Sequence, residues 1–327
     1  MSHEAQAFME ASLSKSTWGK HASALNCLLK FELERNVNLS WPLTEKFICD
    51  FIAWAANTKG LKSSTIKAYL STFNLQQRLK GFPSNIFDFA TTKMVLRGVE
   101  NVEFYKDLAK PARLVMTLPL LKILGHQIAK SEWSTCDKQT IWTVCTVAFF
   151  GSFRLGELLS KNEKTYNRVD TLTWGDLTFR GKSVIIHIRV PKCRQRKGES
   201  VEIFRVPNVT CCPVKAISRL RDVKPELRGS HSPVFSMESG TLLTPALMNK
   251  CLYKLLSPVL GEKASQLTGH SFRAGIPSAL ANRPDLASSL DIKSWGRWGS
   301  ESYEVYARLK PAQKEILFQK IMECLKI

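Results

Sequence analysis

Through the first hundred residues, apolar positions recur with a helical period. From Thr17 to Glu34 the side chains of Trp18, Leu25, Leu28, Leu29 and Leu33 fall near one face. From Leu43 to Asn57, after Trp41-Pro42, Phe47, Ile48, Phe51 and Trp54 repeat the pattern, and Lys59-Gly60 ends it. A third helix, SSTIKAYLSTFNLQQRLKG, opens on Ser and Thr capping residues, turns Ile66, Tyr69, Leu70 and Phe73 inward, and closes at Gly81 with Pro83 just beyond. A fourth is expected around Thr91 to Val99. The period then fails in YKDLAKPARLVMTLP, which is basic and broken by Pro111 and Pro119, so residues 106–116 read as a linker between domains 1–105 and 117–327.

Beyond Leu120 two helices are expected, the second built on the apolar run IWTVCTVAFF at 141–150, which reads as a buried core helix. A period of two follows. Residues 170–178 lead into a strand, Gly181-Lys182 makes a turn, SVIIHIRV is β-rich, Lys192 to Gly198 form a basic loop, and VEIFRVP returns as the next strand. From Pro213 the pattern is again helical, apart from Pro277, which predicts a kink four residues beyond Arg273. The final stretch PAQKEILFQKIMECLKI places Ile316, Leu317, Ile321, Met322 and Leu325 on one face of an amphipathic helix. The expected fold is mainly α, with a helical N-terminal domain and an α+β second domain holding a small antiparallel sheet.

A length of 327 residues favours two domains, and 44% hydrophobic residues suffice for two cores. Lys and Arg total 47 against 28 acidic residues, a formal net charge of +19, which points to a polyanionic partner, with nucleic acid the leading one. A membrane surface is the rival, but no run reaches the roughly 18 apolar residues of a spanning helix. MSHEAQAFMEASLSK has no secretory pattern, and nine cysteines in no disulfide spacing suit a reducing compartment, so an intracellular protein is expected. His187, Cys193, Cys211 and Cys212 lie close in sequence without CxxC or HxxxH spacing, and they read as ordinary residues and buried thiols; no metal is expected.

The candidate chemistry lies in GHSFRAG and GRWGSESYEVYAR. His270 and Arg273 stand at i and i+3, so one helix face would carry a proton carrier and a planar cation. Trp298 and Tyr306 follow, adding an indole donor and a phenol. A phosphodiester fits this set, because a phenol oxygen can attack phosphorus and hold the bond energy in a covalent intermediate. Neither metal nor nucleotide cofactor is then required.

GHSFRAG and WGSESYEVYAR resemble the C-terminal catalytic block of the tyrosine recombinases, also called the phage integrase family, in its Trp variant. Eukaryotic mobile-element recombinases of the DIRS and Crypton types look similar here. The resemblance implies a core-binding, SAM-like N-terminal domain and a catalytic domain from about residue 117. It implies that Arg154, in FFGSFRLGELLS, opens the catalytic set, with Glu157 supporting it. Lys192, at the end of IIHIRVPK, corresponds to the mobile general acid, with Lys197 as second choice. Trp298 is selected over Trp295, which is expected to pack, and Tyr306 over Tyr303, because the family's nucleophile follows the Trp by about nine residues. Lys59, Lys62, Lys67, Arg194, Arg196 and Lys197 are the expected DNA contacts.

The function implied is site-specific recombination of double-stranded DNA through a 3′-phosphotyrosyl intermediate. A homotetramer on two sites goes with it, the C-terminal helix either capping its own domain or being exchanged between protomers to couple them. A eukaryotic mobile element would place the protein in the nucleus. A topoisomerase-like relaxing enzyme and a catalytically silent DNA-binding protein are the alternatives.

Overall fold

The computed structural model describes residues 2–107, 114–169, 171–189, 198–206, 210–224, 231–283 and 285–298. The chain divides into two compact units, Met1–Pro111 and Ala112–Ile327.

In the first unit, α1 (His3–Ala11), α2 (Lys15–Arg35), α3 (Glu45–Asn57), α4 (Ser63–Leu79) and α5 (Ala90–Asp107) follow one another. Ser14 and Thr44 cap α2 and α3 by accepting from the amides of Thr17 and Phe47. Phe31, Ile48, Phe51, Trp54, Ile66, Leu70 and Phe73 form the core. The predicted face of α2 is rotated, however. Ala24, Leu28 and Phe31 point inward, while Leu33 is 80% exposed. Two elements exceed what periodicity predicts. α1 buries no residue and is held by its Ser2 cap and by the Trp18 indole, which donates to the Glu10 carbonyl at 2.7 Å. α5 runs eight residues past Val99, because polar contacts hold its far end. Glu103 accepts from the Ser63 amide at 2.7 Å and its hydroxyl at 2.6 Å, and Lys67 pairs with Glu100.

Of the stretch 106–116 expected as a linker, residues 108–113 lie outside the described residues. Lys106 and Asp107 continue α5, while Met116 is fully buried in the second unit, its amide donating to the Ser271 carbonyl at 3.0 Å. The second unit contains α6 (Leu118–Lys130), α7 (Thr135–Phe150), the single turn α8 (Leu155–Leu158), β1 (Leu177–Arg180), β2 (Ser183–Ile188), β3 (Glu199–Phe204), α9 (Pro213–Val223), α10 (Pro245–Leu260), α11 (Gly269–Ala281) and α12 (Ser289–Gly296). The strands form an antiparallel meander in the order β1-β2-β3. Val184, Ile186 and Ile188 face the core on every second position.

β1 begins at Leu177, at the end of the expected strand entry. The Asp176 carboxylate accepts from the Thr173 amide at 2.8 Å and its hydroxyl at 2.9 Å, winding residues 174–176 into a 3-10 turn. α7 is the core helix its apolar run predicts, buried from Ile141 to Phe149 except at Trp142. α11 continues through Pro277 to Ala281, so the proline does not end the helix. No helix among the described residues is long and apolar enough to cross a membrane. The expected C-terminal helix at 311–327 lies outside the described residues.

Candidate active site

Three segments of the second unit converge on one carboxylate. The first is the bend after α7. Gly151 is covered by the Phe153 ring, and Ser152 takes a left-handed φ of +47°, unusual for a residue with a side chain. Arg154 then caps α8. Glu157, in the first turn, reaches back to the Arg154 amide at 3.0 Å and to its guanidinium at 2.9 Å.

The second segment is α11. Thr268 caps it, and Gly269 lets its first turn lie against Leu155 of α8, whose side chain occupies the space a Cβ would need. Gly275 performs the same service further along, since a Cβ there would sit 2.5 Å from the Phe149 ring and 2.8 Å from the Met116 carbonyl oxygen. Between them Arg273 is only 1% exposed. It donates to the Ser152 carbonyl at 2.7 Å and the Gly296 carbonyl at 2.5 Å, and comes within 3.9 Å of Glu157. His270, one turn earlier, is exposed, with its amide bonded to the Thr268 hydroxyl at 3.3 Å.

The third is the end of α12. Arg297 terminates that helix with φ +55°, ψ +46°. Its guanidinium lies 3.1 Å from Glu157, 3.3 Å from the Ser152 carbonyl and 3.6 Å from Glu199 at the start of β3, and packs over the Phe153 ring at 4.6 Å. The half-buried indole of Trp298 covers Arg273 at 5.2 Å. Trp295, expected to pack, is instead 47% exposed.

Burial pushes the Glu157 carboxyl up, but Arg297, the Arg154 amide, Arg273 and the Arg154 side chain outweigh it and hold the group below its ordinary range. Glu157 is therefore ionised at neutral pH. Three guanidinium groups against Glu157 and Glu199 leave a net positive field with planar donors, an environment suited to a phosphate.

Beside it, Gly156, Glu157, Lys161, Asp176, His187 and Arg189 line a cleft of about 60 Å³. Arg189, just past the end of β2, pairs with Asp176 at 2.7 Å. His187 bonds Ser200 at 3.1 Å, while Cys211 and Cys212 are buried, with burial pushing the Cys211 thiol up.

Arg154, Glu157, Arg273 and Trp298 are thus brought together, with His270 on the same helix as Arg273. Lys192, Cys193, Arg194, Arg196, Lys197, Tyr303 and Tyr306 lie outside the described residues. In the first unit, exposed Lys62 caps α4. Lys59 bonds Glu34 at 2.5 Å over the Trp54 ring, and Lys67 bonds Glu100. Sequence reasoning missed Arg297. The available signal was an arginine after Gly296 at a helix end, where glycine or asparagine is the usual terminator.

No protein-family model and no curated protein sequence matches the chain. Solved structures do. The Tn1549 transposon integrase in complex with transposon right-end DNA superposes with a TM-score of 0.66 at 13% identity, covering 99% of this chain and 98% of that one. The XerH site-specific recombinase bound to palindromic difH substrate, in its post-cleavage complex, gives 0.60 at 15%, covering 91% and 78%. A lambda integrase dimer bound to a COC′ core site gives 0.55 at 12%, covering 93% and 74%. What is shared at these identities is architecture, and the chain has the tyrosine-recombinase fold.

Proposed function

We propose that the chain breaks and rejoins double-stranded DNA by transesterification, as a site-specific recombinase or integrase. The observation that carries this reading is the meeting of Arg154 and Arg273, distant in sequence, around buried Glu157 and beneath Trp298, on the helix that presents His270. The fold shared with DNA-bound recombinases supports it.

In this reading Tyr306 attacks the scissile phosphorus, forming a 3′-phosphotyrosyl bond as the bond to the 5′ oxygen breaks. His270 takes the tyrosine proton, and Lys192 gives one to the leaving oxygen. Arg154 and Arg273 neutralise the phosphorane, and Glu157 holds Arg154 in place. A 5′-hydroxyl from a partner strand reverses the step. The first unit holds DNA as a core-binding domain, with Lys59, Lys62 and Lys67 near phosphates; Arg194, Arg196 and Lys197 contact it from the β2–β3 loop. Four copies on two sites, joined by exchange of residues 311–327, complete the assembly. The mechanism calls for no metal or nucleotide.

The test is incubation with nicked suicide substrates, followed by denaturation and detection of protein bound covalently to DNA. Adduct from the wild type and none from Tyr306→Phe is the expected result. Salt-sensitive DNA binding without adduct would support a silent DNA-binding protein instead, and relaxation of supercoiled DNA without strand exchange a topoisomerase-like enzyme.

A further inference from the structure

Arg297 has no part in the mechanism above, yet it pairs with two carboxylates of the site. Its NH2 group serves both Glu157, at 3.1 Å, and the Ser152 carbonyl, at 3.3 Å, and its NH1 group lies 3.6 Å from Glu199. Its Nε is buried without a hydrogen-bond partner. The guanidinium is stacked on Phe153, and the backbone sits at φ +55°. A residue with a Cβ costs about 1 kcal/mol there relative to glycine. The chain therefore keeps an arginine where glycine is easier, and turns its whole head group inward.

Each contact reaches a different part of the site. Glu157 and Ser152 also hold the guanidinium groups of Arg154 and Arg273, respectively. Glu199 opens β3, seven residues after Lys192 in sequence, and Arg297 itself precedes Trp298 and, nine residues on, Tyr306.

We infer that Arg297 is a positioning residue that ties the end of α12 and the start of β3 to the Arg154–Glu157–Arg273 cluster, holding the phosphate cations in the register that the proposed nucleophile and general acid require. This rests on the recombinase reading above. A misplacement of about 1 Å at a reacting group costs on the order of 100-fold in rate, so the loss should appear in cleavage rather than in DNA affinity.

The experiment compares wild type, Arg297→Gly, Arg297→Lys and Glu199→Gln for thermal stability, DNA affinity and single-turnover cleavage of a suicide substrate. Arg297→Gly relieves the backbone, so a purely structural residue would leave cleavage near wild type while stability is kept. The expected result is cleavage slower by about 100-fold with DNA affinity within about twofold, Arg297→Lys intermediate, and Glu199→Gln slower by several-fold. If Arg297→Gly melts far below the wild type, the Lys and Glu199→Gln variants decide alone, and wild-type rates in both overturn the inference. Cleavage by Arg297→Gly within about twofold of wild type also overturns it, as does loss of cleavage matched by equal loss of binding. Absence of adduct from the wild type overturns the recombinase reading itself, and this inference with it.

Discussion

The Trp298 indole lies over the Arg273 guanidinium, 5.2 Å from ring centroid to Cζ, and so covers one of the most deeply buried cations in the protein. A desolvated contact of this kind is worth about 2 kcal/mol. Trp298→Ala should slow cleavage by about 30-fold, the equivalent of that energy, while Trp298→Phe keeps the ring face and most of the rate. Single-turnover kinetics check this; equal losses in both variants would mean that the indole N–H, not the ring, is what matters.

Glu157 is the counter-charge for three arginines, and removing it leaves buried cations facing one another. Glu157→Gln should destabilise the second unit by about 3 kcal/mol at neutral pH. Its folded pKa lies below the unfolded one, so the stabilisation is complete above the unfolded value, about 4.3, and is lost as pH falls through the lower folded value. The gap between wild type and variant should therefore close in that acidic window. Urea unfolding at neutral and acid pH measures it, and a gap that stays constant contradicts the assignment.

The close approach of α11 to α7 depends on Gly275. An alanine there meets both the Phe149 ring and the Met116 carbonyl, and backbone yields little. Gly275→Ala should cost about 2 kcal/mol, the usual cost of overpacking, and should shift Arg273 as well. Retained stability by denaturant titration would show that the two helices part more easily than this geometry implies.

Lys67 is engaged with Glu100, so a DNA phosphate must compete with that carboxylate. Glu100→Gln should raise DNA affinity several-fold at low salt, and Lys67→Ala should lower the salt slope by about one. Fluorescence anisotropy across a salt series reads both. No change in either variant would remove Lys67 from the interface.

α3 and α4 were legible because their apolar faces are the faces that pack, and α7 because its continuous apolar run is buried almost all round. α1 and the end of α5 were not, because a Ser2 cap with the Trp18 indole, and the Glu103–Ser63 contacts, hold them without an apolar stripe. α2 misled because a long helix offers several plausible stripes, and only its partners select Phe31 over Leu33. In the site, Arg154, Glu157 and Arg273 stand in short motifs whose spacing survives folding. Arg297 and Ser152 owe their importance to left-handed backbone and to contacts across the chain, which no local spacing encodes. Trp295 and Trp298 were told apart by motif, and folding turned the first outward instead of packing it.

The central claim is a covalent bond from Tyr306 to DNA. Protein trapped on a suicide substrate should be digested and the nucleotide-bearing peptide sequenced by mass spectrometry. A 3′-nucleotide on Tyr306, with a free 5′-hydroxyl on the released strand, is the predicted result. A nucleotide on Tyr303 or on a serine, or a 5′-phosphate on the released strand, would contradict it.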